Sequence, residues 1–267
     1  SAELGGQFNL AKRIPGKEDF DETIRYFKTR LTEEGVNIQM MTRPAAAELK
    51  AADYEHVVIA TGVLPRNPDI PGADRENVIN YVDALLGRKP VGQKVAIIGS
   101  GGIGFDVAEF VTSPHRHLPV PIDDFLAHWG IDKTHTSAGG MSTPTREAPD
   151  RHVTMLQRTD ARPGKSLGLT TGWVVRSELK SRGVRNITGA TYERIDDDGL
   201  HIIVGGEQKV IPADTIIICA GQEPENSLYK ELSGEGVTAT VIGGAEKSAD
   251  LDALRAIRQG TEVALAI

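Results

Sequence analysis

The stretch KVAIIGSGGIGFDVAEF, residues 94–110, decides the fold: a β-branched apolar run ends at glycines and resumes as an amphipathic segment. Its glycines have the spacing G-x-G-x-x-G, in which Gly99 permits a tight turn and Gly101 lets a diphosphate approach the backbone. Gly104 lets the following helix pack against the strand, and the free N–H groups of that helix attract an anion. An incidental glycine-rich turn is the alternative, but the flanking strand and helix favour a dinucleotide site. The predicted turn consists of Gly99, Ser100, Gly101, Gly102, Ile103 and Gly104.

Similar apolar runs recur along the chain, as expected of strands buried on both faces of a parallel sheet. These runs are HVVIATG (56–62), HVTMLQR (152–158), TIIICAGQ (215–222) and TVIGG (240–244). Helical periodicity is found between several of them, at 20–35 and 171–183. Residues 190–221 predict an antiparallel ribbon with turns at its Asp-Asp-Gly and Gly-Gly sequences. The expected fold class is α/β, with a doubly wound parallel sheet.

Composition argues against several classes of function. The formal net charge of −7 argues against a nucleic-acid partner. No apolar run approaches the roughly 20 residues that a membrane span needs, so no membrane partner is expected. Cys219 is the only cysteine, which rules out an intramolecular disulfide or a cluster held by several of this chain's thiolates. Its apolar neighbours predict a core residue in a reducing, cytoplasmic protein. No catalytic residue or metal ligand is predicted.

The nucleotide is selected at the end of the second strand, where an acid binds the ribose of NAD and an arginine accommodates the phosphate of NADP. Counting about 20 residues past the motif reaches Asp123 and Asp124, but these start a short predicted helix. The better second strand, 152–158, is delayed by an irregular insertion at 111–152 and ends at Arg158. A guanidinium pairs with a phosphate, so NADP(H) is favoured, and a solvated strand-end charge is the alternative. The predicted phosphate-binding residues are Arg158, Arg162 and Lys165.

The insertion also holds histidines that raise the question of a metal site. They are His115, His117, His128 and His135. No cysteine or carboxylate stands at ligand spacing on a regular element, so solvated loop histidines are the favoured interpretation. The regular element predicted here is a helix over 123–130, with aspartates at its start and a glycine at its end.

Beyond these motifs, the chain resembles flavoprotein reductases in which one dinucleotide-binding domain is nested inside another. The Ala-Thr-Gly turn at 60–62 is similar to the turn that closes the outer, FAD-binding domain of that group. The segments that together look like the C-terminal part of bacterial NADPH-dependent 2,4-dienoyl-CoA reductases are LGGQFNLAKRIPGK (4–17), KPVGQKVAIIGSGGIGFDVA (89–108), HWGID (128–132), GLTTGW (168–173), IDDDGLH (195–201), ICAGQEP (218–224) and DALRAIRQG (252–260).

The resemblance implies a partial FAD-binding domain, 1–88 and 225–267, around an NADP-binding domain, 89–224, that carries the insertion. It implies that NADPH passes a hydride to FAD and that electrons reach a 2,4-dienoyl-CoA, in fatty acid β-oxidation, through a 4Fe–4S cluster and FMN. The cluster, the FMN and the acyl site would belong to an N-terminal barrel domain of the same polypeptide. The residues implied to bind FAD are Gly6, Gln7, Thr61, Gly62, Gly243 and Gly244, and those implied at the end of the NADP-binding domain are Gly221 and Gln222.

The sequence departs from that family because the barrel, the cluster cysteines and the first glycine turn of the FAD domain are not present in it. We therefore expect a fragment that is inactive alone. It should bind NADP(H) but bind FAD weakly or not at all, since the cradle for the FAD pyrophosphate is missing. Two alternatives stay open: an NADH-dependent flavin oxidoreductase of the same family acting on another enoate, and a non-catalytic nucleotide-binding module.

Overall fold

The structure is a computed structural model that describes residues 1–113, 120–249 and 251–267. The described chain divides into two compact units, each assembled from separate segments. The sheet unit contains Gln7–Phe27 and Pro68–Cys219, and the terminal unit contains Ser1–Gly6, Lys28–Asn67 and Ala220–Ile267. Of the histidines named above, His115 and His117 lie outside the described residues.

The regular elements alternate between helix and strand over much of the chain. The helices are α1 (Phe8–Ala11), α2 (Phe20–Glu33), α3 (Ala46–Ala51), α4 (Tyr81–Leu86), α5 (Gly102–Thr112), α6 (Ile122–Trp129), α7 (Gly172–Ser181), α8 (Ser227–Gly234) and α9 (Ala253–Ala266). The strands are β1 (Val57–Ile59), β2 (Val63–Pro65), β3 (Val78–Asn80), β4 (Lys94–Ile98), β5 (His152–Leu156), β6 (Arg185–Ile187), β7 (Thr191–Asp196), β8 (Gly199–Val204), β9 (Glu207–Ile211), β10 (Thr215–Ile218), β11 (Gln222–Pro224) and β12 (Ala239–Val241). Short 3-10 turns span Ala138–Gly140 and Gly243–Ala245.

A five-stranded parallel sheet, in the order β3-β10-β4-β5-β6, forms the centre of the sheet unit. β4 pairs with β10 on one side and with β5 on the other, so the strand before the glycine turn is central. Every residue of β10 is buried, as expected for an interior strand of a parallel sheet. The sheet confirms the predicted α/β class, and β5 confirms that the second strand comes after the insertion.

Cys219 directly follows β10 and is 6% exposed. Burial raises the pKa of its thiol, and the nearby carboxylate of Asp106 acts in the same direction. The prediction of a core cysteine is therefore confirmed.

The N-terminal segment folds with the sheet unit. Leu10 and Ile14 are buried in the same core as Leu85 of α4 and Val107 of α5. β3 also joins this unit because it pairs with β10 in the parallel sheet. The observed division thus differs from the predicted boundaries at 88 and 225, and the nucleotide assigned to each part stays a prediction.

An antiparallel ribbon of β7, β8 and β9 follows the sheet strand β6. Asp196 pairs with Gly199 across the first turn, and Val204 pairs with Glu207 across the second. The second turn is Gly205-Gly206, and both glycines have positive φ, as tight hairpin turns require. The predicted ribbon and both of its turns are confirmed.

The terminal unit contains two short two-stranded sheets. β1 and β12 pair in parallel, and β2 and β11 pair antiparallel. Its core joins Ile59 of β1 to Leu232 of α8, with Ala46 and Ala245 beside them. Parallel pairing brings the chain segments that follow β1 and β12 to the same edge of that sheet.

Candidate nucleotide-binding site

The glycine turn lies between the central strand β4 and the helix α5, as the sequence predicts. Gly99 has φ +119°, a backbone conformation that favours glycine, and its amide donates to the carbonyl of Leu156 at 2.8 Å. Gly104 faces the backbone of the turn so closely that an added Cβ would lie 2.0 Å from the carbonyl oxygen of Gly99. Close approach of helix to turn therefore requires glycine at position 104.

The face of the turn beside Gly101 and Gly102 is open. An added Cβ at either residue would meet no atom within 4 Å among the described residues. Gly101 caps α5 without a side-chain hydrogen bond, so the first amides of the helix have no side-chain acceptor from the cap. The hydroxyl of Ser100 is buried and has no hydrogen-bond partner in the part of the chain that the structure describes. Free amides at a helix N-terminus beside open space suit an approaching anion.

The predicted cations follow β5, next to the central strand. Because β4 and β5 are parallel and in register, their carboxyl ends lie at the same edge of the sheet. Arg158, Arg162 and Lys165 are all exposed on the loop that leaves this edge. The amide of Gly164 donates to the carbonyl of Ser100 at 3.1 Å, which joins the cationic loop to the glycine turn. The structure thus brings the cationic loop to the glycine turn, and the role of both in binding NADP(H) stays a prediction.

Gly164 packs closely against residues of α5 and α7 and of its own loop. It has φ +69°, and an added Cβ would lie 2.9 Å from the ring of Phe105 and 2.7 Å from Leu167. The guanidinium of Arg176, on α7, donates to the carbonyl of Gly164 at 3.3 Å. Sequence reasoning missed Gly164 and Arg176, since a single glycine between two cations gives no sign of its distant partners.

Tyr192, on β7, belongs to the surroundings of Arg158. Burial raises the pKa of its phenol to about 12, and the positive charge of Arg158 acts in the opposite direction. The ribbon therefore lies within electrostatic range of the predicted phosphate-binding cation.

A network of charged side chains ties other segments to α5 and α7. Lys17 lies 2.6 Å from the carboxylate of Asp106 on α5. Glu178, on α7, lies 2.6 Å from the guanidinium of Arg182 and 2.8 Å from Nε2 of His128. The solvated-loop interpretation is wrong for His128, because that side chain is partly buried against a buried carboxylate that fastens α6 to α7.

The network surrounds a glutamate that resists ionisation. Burial raises the pKa of Glu109 to about 7, partly offset by the positive charge of Arg182. A folded protein with such a group keeps its proton to a higher pH than the unfolded chain does. Ionisation of Glu109 therefore costs folding free energy as the pH rises from about 4.5 to about 7.

Replacement of Glu109 by Gln is expected to stabilise the protein at pH 8 by about 1–3 kcal/mol, because the amide cannot ionise. Most of this gain should disappear near pH 5, where folded wild-type protein retains the proton. Urea unfolding at both pH values measures the difference. Glu231→Gln, at an exposed glutamate of α8, is the matched control. Equal effects of Glu109→Gln at the two pH values would contradict the prediction.

The remaining histidines and carboxylates of interest lie on the surface and at the β7–β8 turn. His135 is exposed, as predicted. Asp196, Asp198 and His201 place potential ligand atoms within 4.8 Å of one another. Nε2 of His201 lies 2.7 Å from the carboxylate of Asp196, and this hydrogen bond is the main cause of that group's lowered pKa. These groups form the β7–β8 turn and bond to one another.

Part of the predicted FAD set lies together in the terminal unit. The turns after β1 and β12 carry Thr61–Gly62 and Gly243–Gly244, and an added Cβ on Gly244 would lie 3.2 Å from the backbone of Gly62. The side chain of Gln259, on α9, accepts from the amide of Gly243 at 2.8 Å. This is the edge of a parallel sheet at which nucleotides bind in α/β folds.

The other predicted residues lie at the boundaries between units. Gly6 ends the first segment of the terminal unit, and Gln7 begins the sheet unit and is the N-cap of α1. Gly221 and Gln222 group with the terminal unit, where the carbonyl of Gly221 accepts from the amide of Arg66 at 3.0 Å. Their predicted place with the NADP-binding residues stays a prediction.

A parallel sheet with a glycine turn after its central strand defines an α/β, Rossmann-like fold of the FAD/NAD(P)-binding class. Residues 10–245 match the family described as pyridine nucleotide-disulphide oxidoreductase, and the chain belongs to that family. Membership implies an oxidoreductase domain of the FAD- and NAD(P)H-binding kind. The weak or absent FAD binding expected of this chain alone stays a prediction.

Relatives and solved structures agree with this class. The chain is 30% identical over 251 residues to the metal reductase of Desulforamulus reducens, covering 92% of this chain and 36% of the relative. It is 28% identical over 268 residues to the NADH oxidase of Thermoanaerobacter brockii, covering 98% of this chain and 35% of the relative. The chain thus spans about a third of the length of these relatives.

Two solved structures share the fold over almost the whole chain. The complex of 2-naphthoyl-CoA reductase with 2-naphthoyl-CoA superposes with a TM-score of 0.79 at 24% identity, over 100% of this chain and 35% of that one. Histamine dehydrogenase from Rhizobium sp. 4-9 superposes with a TM-score of 0.72 at 16% identity, over 99% of this chain and 39% of that one. Among the described residues, no helix combines the length and apolar character needed to cross a bilayer.

Proposed function

We propose that this chain is the electron-input part of a larger reductase, in which the sheet unit binds NADPH and the hydride passes to FAD. One observation carries the proposal: the hydrogen bond from Gly164 to Ser100 holds the cationic loop against the open glycine turn. The turn suits a diphosphate and the loop suits a phosphate monoester. NADPH contains both groups, whereas NADH lacks the second.

The residues present fit this nucleotide. Gly101 leaves room for the diphosphate, the N-terminus of α5 supplies amides and partial positive charge, and Arg158 supplies a planar cation. The chain's task is to bind and orient the nucleotide, and the bound nicotinamide supplies the hydride. The glycine turns after β1 and β12 support FAD as the acceptor in the whole protein.

The finer assignments rest on the sequence resemblance. We propose 89–224 as the NADP-binding part and 1–88 with 225–267 as part of the FAD-binding domain. In the whole protein we propose a 2,4-dienoyl-CoA as the substrate, reached through a 4Fe–4S cluster and FMN in an N-terminal barrel. A single buried cysteine supports a reducing, cytoplasmic location.

A second candidate keeps the fold and changes the electron acceptor. The cinnamate reductase of Clostridium sporogenes is 23% identical over 91% of this chain, and its name describes an enoate substrate. The name of the NADH oxidase relative contains the unphosphorylated nucleotide, which supports NADH as the alternative. An NADH-dependent enoate reductase is therefore the alternative. Hydride transfer from NADPH or NADH to FAD in the whole protein separates both enzymes from a non-catalytic nucleotide-binding module.

Replacement of Arg158 by Ala is expected to weaken NADPH binding by about 10- to 100-fold, because a charge-assisted pair with the 2′-phosphate is lost. NADH has no such phosphate, so its affinity should change by less than about 3-fold. Titration followed by nicotinamide fluorescence measures both. Arg194→Ala, at an exposed arginine of β7 paired with Asp196 at 3.2 Å, is the matched control. An unchanged preference between the two nucleotides in Arg158→Ala would overturn the assignment of NADPH.

A further inference from the structure

Gln157 immediately follows β5 and precedes the predicted phosphate-binding arginine, Arg158. Its side-chain amide donates to the carbonyl of Thr159 at 3.0 Å and also to the carbonyl of Ala161. A single primary amide therefore donates hydrogen bonds to two carbonyls of the turn that carries Arg158, and these bonds stabilise the conformation of the turn.

The backbone of Gln157 is held as firmly as its side chain. Its amide donates to the carbonyl of Ile187 at 3.0 Å, and its carbonyl accepts from the amide of Ala190 at 3.0 Å. Ile187 is the last residue of β6, and Ala190 lies in the segment 188–190 that joins β6 to β7. Both backbone polar groups of Gln157 are thus hydrogen-bonded before any ligand arrives.

Two further residues of the segment 188–190 donate hydrogen bonds to the turn. The amide of Gly189 donates to the carbonyl of Thr159 at 3.1 Å, and the hydroxyl of Thr188 donates to the carboxylate of Asp160 at 2.7 Å. Arg158 and Arg162 are nevertheless exposed at their side chains. The turn therefore combines a hydrogen-bonded backbone with two exposed cationic side chains.

We infer that Gln157 is a positioning residue that sets the preference for the phosphorylated nucleotide, an inference that rests on the proposed function. With the turn fixed, Arg158 and Arg162 start from a defined spacing, and less conformational entropy is lost when a phosphate binds. Without the amide, both arginines project from a looser turn and their contacts with a phosphate are weakened. Gln157 acts only through these arginines, so nucleotides that lack the 2′-phosphate do not depend on it.

The chemistry of the residue at this position is specific. Both groups that Gln157 meets are carbonyl acceptors, so only a side chain with two N–H donors satisfies them together. A glutamate would face two carbonyls without a donor and would also repel the phosphate. Methionine has similar size, no charge and no N–H, and it isolates the loss of the two hydrogen bonds.

The experiment compares Gln157→Met with wild-type protein by titration with NADPH and with NADH, followed by nicotinamide fluorescence. We expect the NADPH dissociation constant to rise about 5- to 10-fold and the NADH constant to change by less than about 2-fold. Gln208→Met is the matched control, because Gln208 donates a similar bond to Glu193, at 3.3 Å on the ribbon, and its loss should move neither constant. General loosening of the fold would weaken both nucleotides alike, whereas the inference requires a change in their ratio.

The outcomes separate this inference from the proposed function. Wild-type protein without a preference for NADPH would overturn the proposed function itself. If folded Gln157→Met protein keeps the wild-type ratio of NADPH to NADH affinity, the proposed role of Gln157 is overturned. If Gln157→Met fails to fold, the same titrations with Thr188→Val test the inference. This variant removes the hydrogen bond from Thr188 to Asp160, which is the second side-chain contact that holds the turn. Thr188→Val should reduce the NADPH preference in the same direction, and an unchanged ratio there would overturn the inference.

Discussion

Gly101→Ala is expected to remove NADPH binding while leaving the protein folded. The added methyl group meets no described atom within 4 Å, and the backbone angles of Gly101, φ −83° and ψ −171°, are open to alanine. Stability should therefore stay within about 1 kcal/mol of wild type. The methyl group would instead stand where the diphosphate approaches the amides of α5. Loss of two charge-assisted bonds there weakens binding by about 100-fold or more.

Calorimetric titration with NADPH, together with thermal unfolding, measures both halves of this expectation. Gly234→Ala is the matched control, because Gly234 also has no described atom within 4 Å of an added Cβ and lies in the terminal unit. It should leave the nucleotide affinity unchanged. The free energy of unfolding should rise only by the small amount expected of alanine in a helix. A Gly101→Ala protein that binds NADPH as wild type does would show that no diphosphate uses this face.

Gly104→Ala is expected to damage the fold itself. The added Cβ would lie 2.0 Å from the carbonyl oxygen and 2.9 Å from the carbonyl carbon of Gly99. Both are backbone atoms of the turn, so α5 must move away from β4 to relieve the overlap. We expect a loss of about 3 kcal/mol or more in the free energy of unfolding, and nucleotide binding should be lost with it.

Urea denaturation measures the effect, and Gly102→Ala serves as its control. Gly102 begins the same helix, yet an added Cβ there meets no atom within 4 Å in the described chain. Alanine at 102 should leave stability unchanged or slightly higher. Comparable stability of the 102 and 104 variants would contradict the close packing of helix on turn.

Much of the fold could be predicted because its determinants are local. An apolar run, a turn with four glycines and a helical pattern within 94–110 are enough to define a strand, a turn and a helix. The true second strand could be predicted because the prolines before Asp123 disqualify the nearer segment. The ribbon could be predicted from its two turn sequences, Asp-Asp-Gly and Gly-Gly, and the strand-like segments beside them.

The remainder could not be predicted because it depends on pairings between distant residues. Nothing near His128 in the sequence indicates that its partner is Glu178, fifty positions later. Gly164 carries no sign that it bonds to Ser100. The division at residues 7–27 depends likewise on Leu10 and Ile14, whose burial in the core of the sheet unit is a tertiary event.

The strand order has a consequence for how the chain is made. β10 lies between β3 and β4, although it is the last of the five strands to leave the ribosome. Until Thr215–Ile218 have been synthesised, β3 and β4 have no common neighbour, and the edges that pair with β10 stay unpaired. Such non-local completion is slow and exposes nascent chains to association. A chaperone that retains the nascent polypeptide should therefore release it only after Cys219 has emerged.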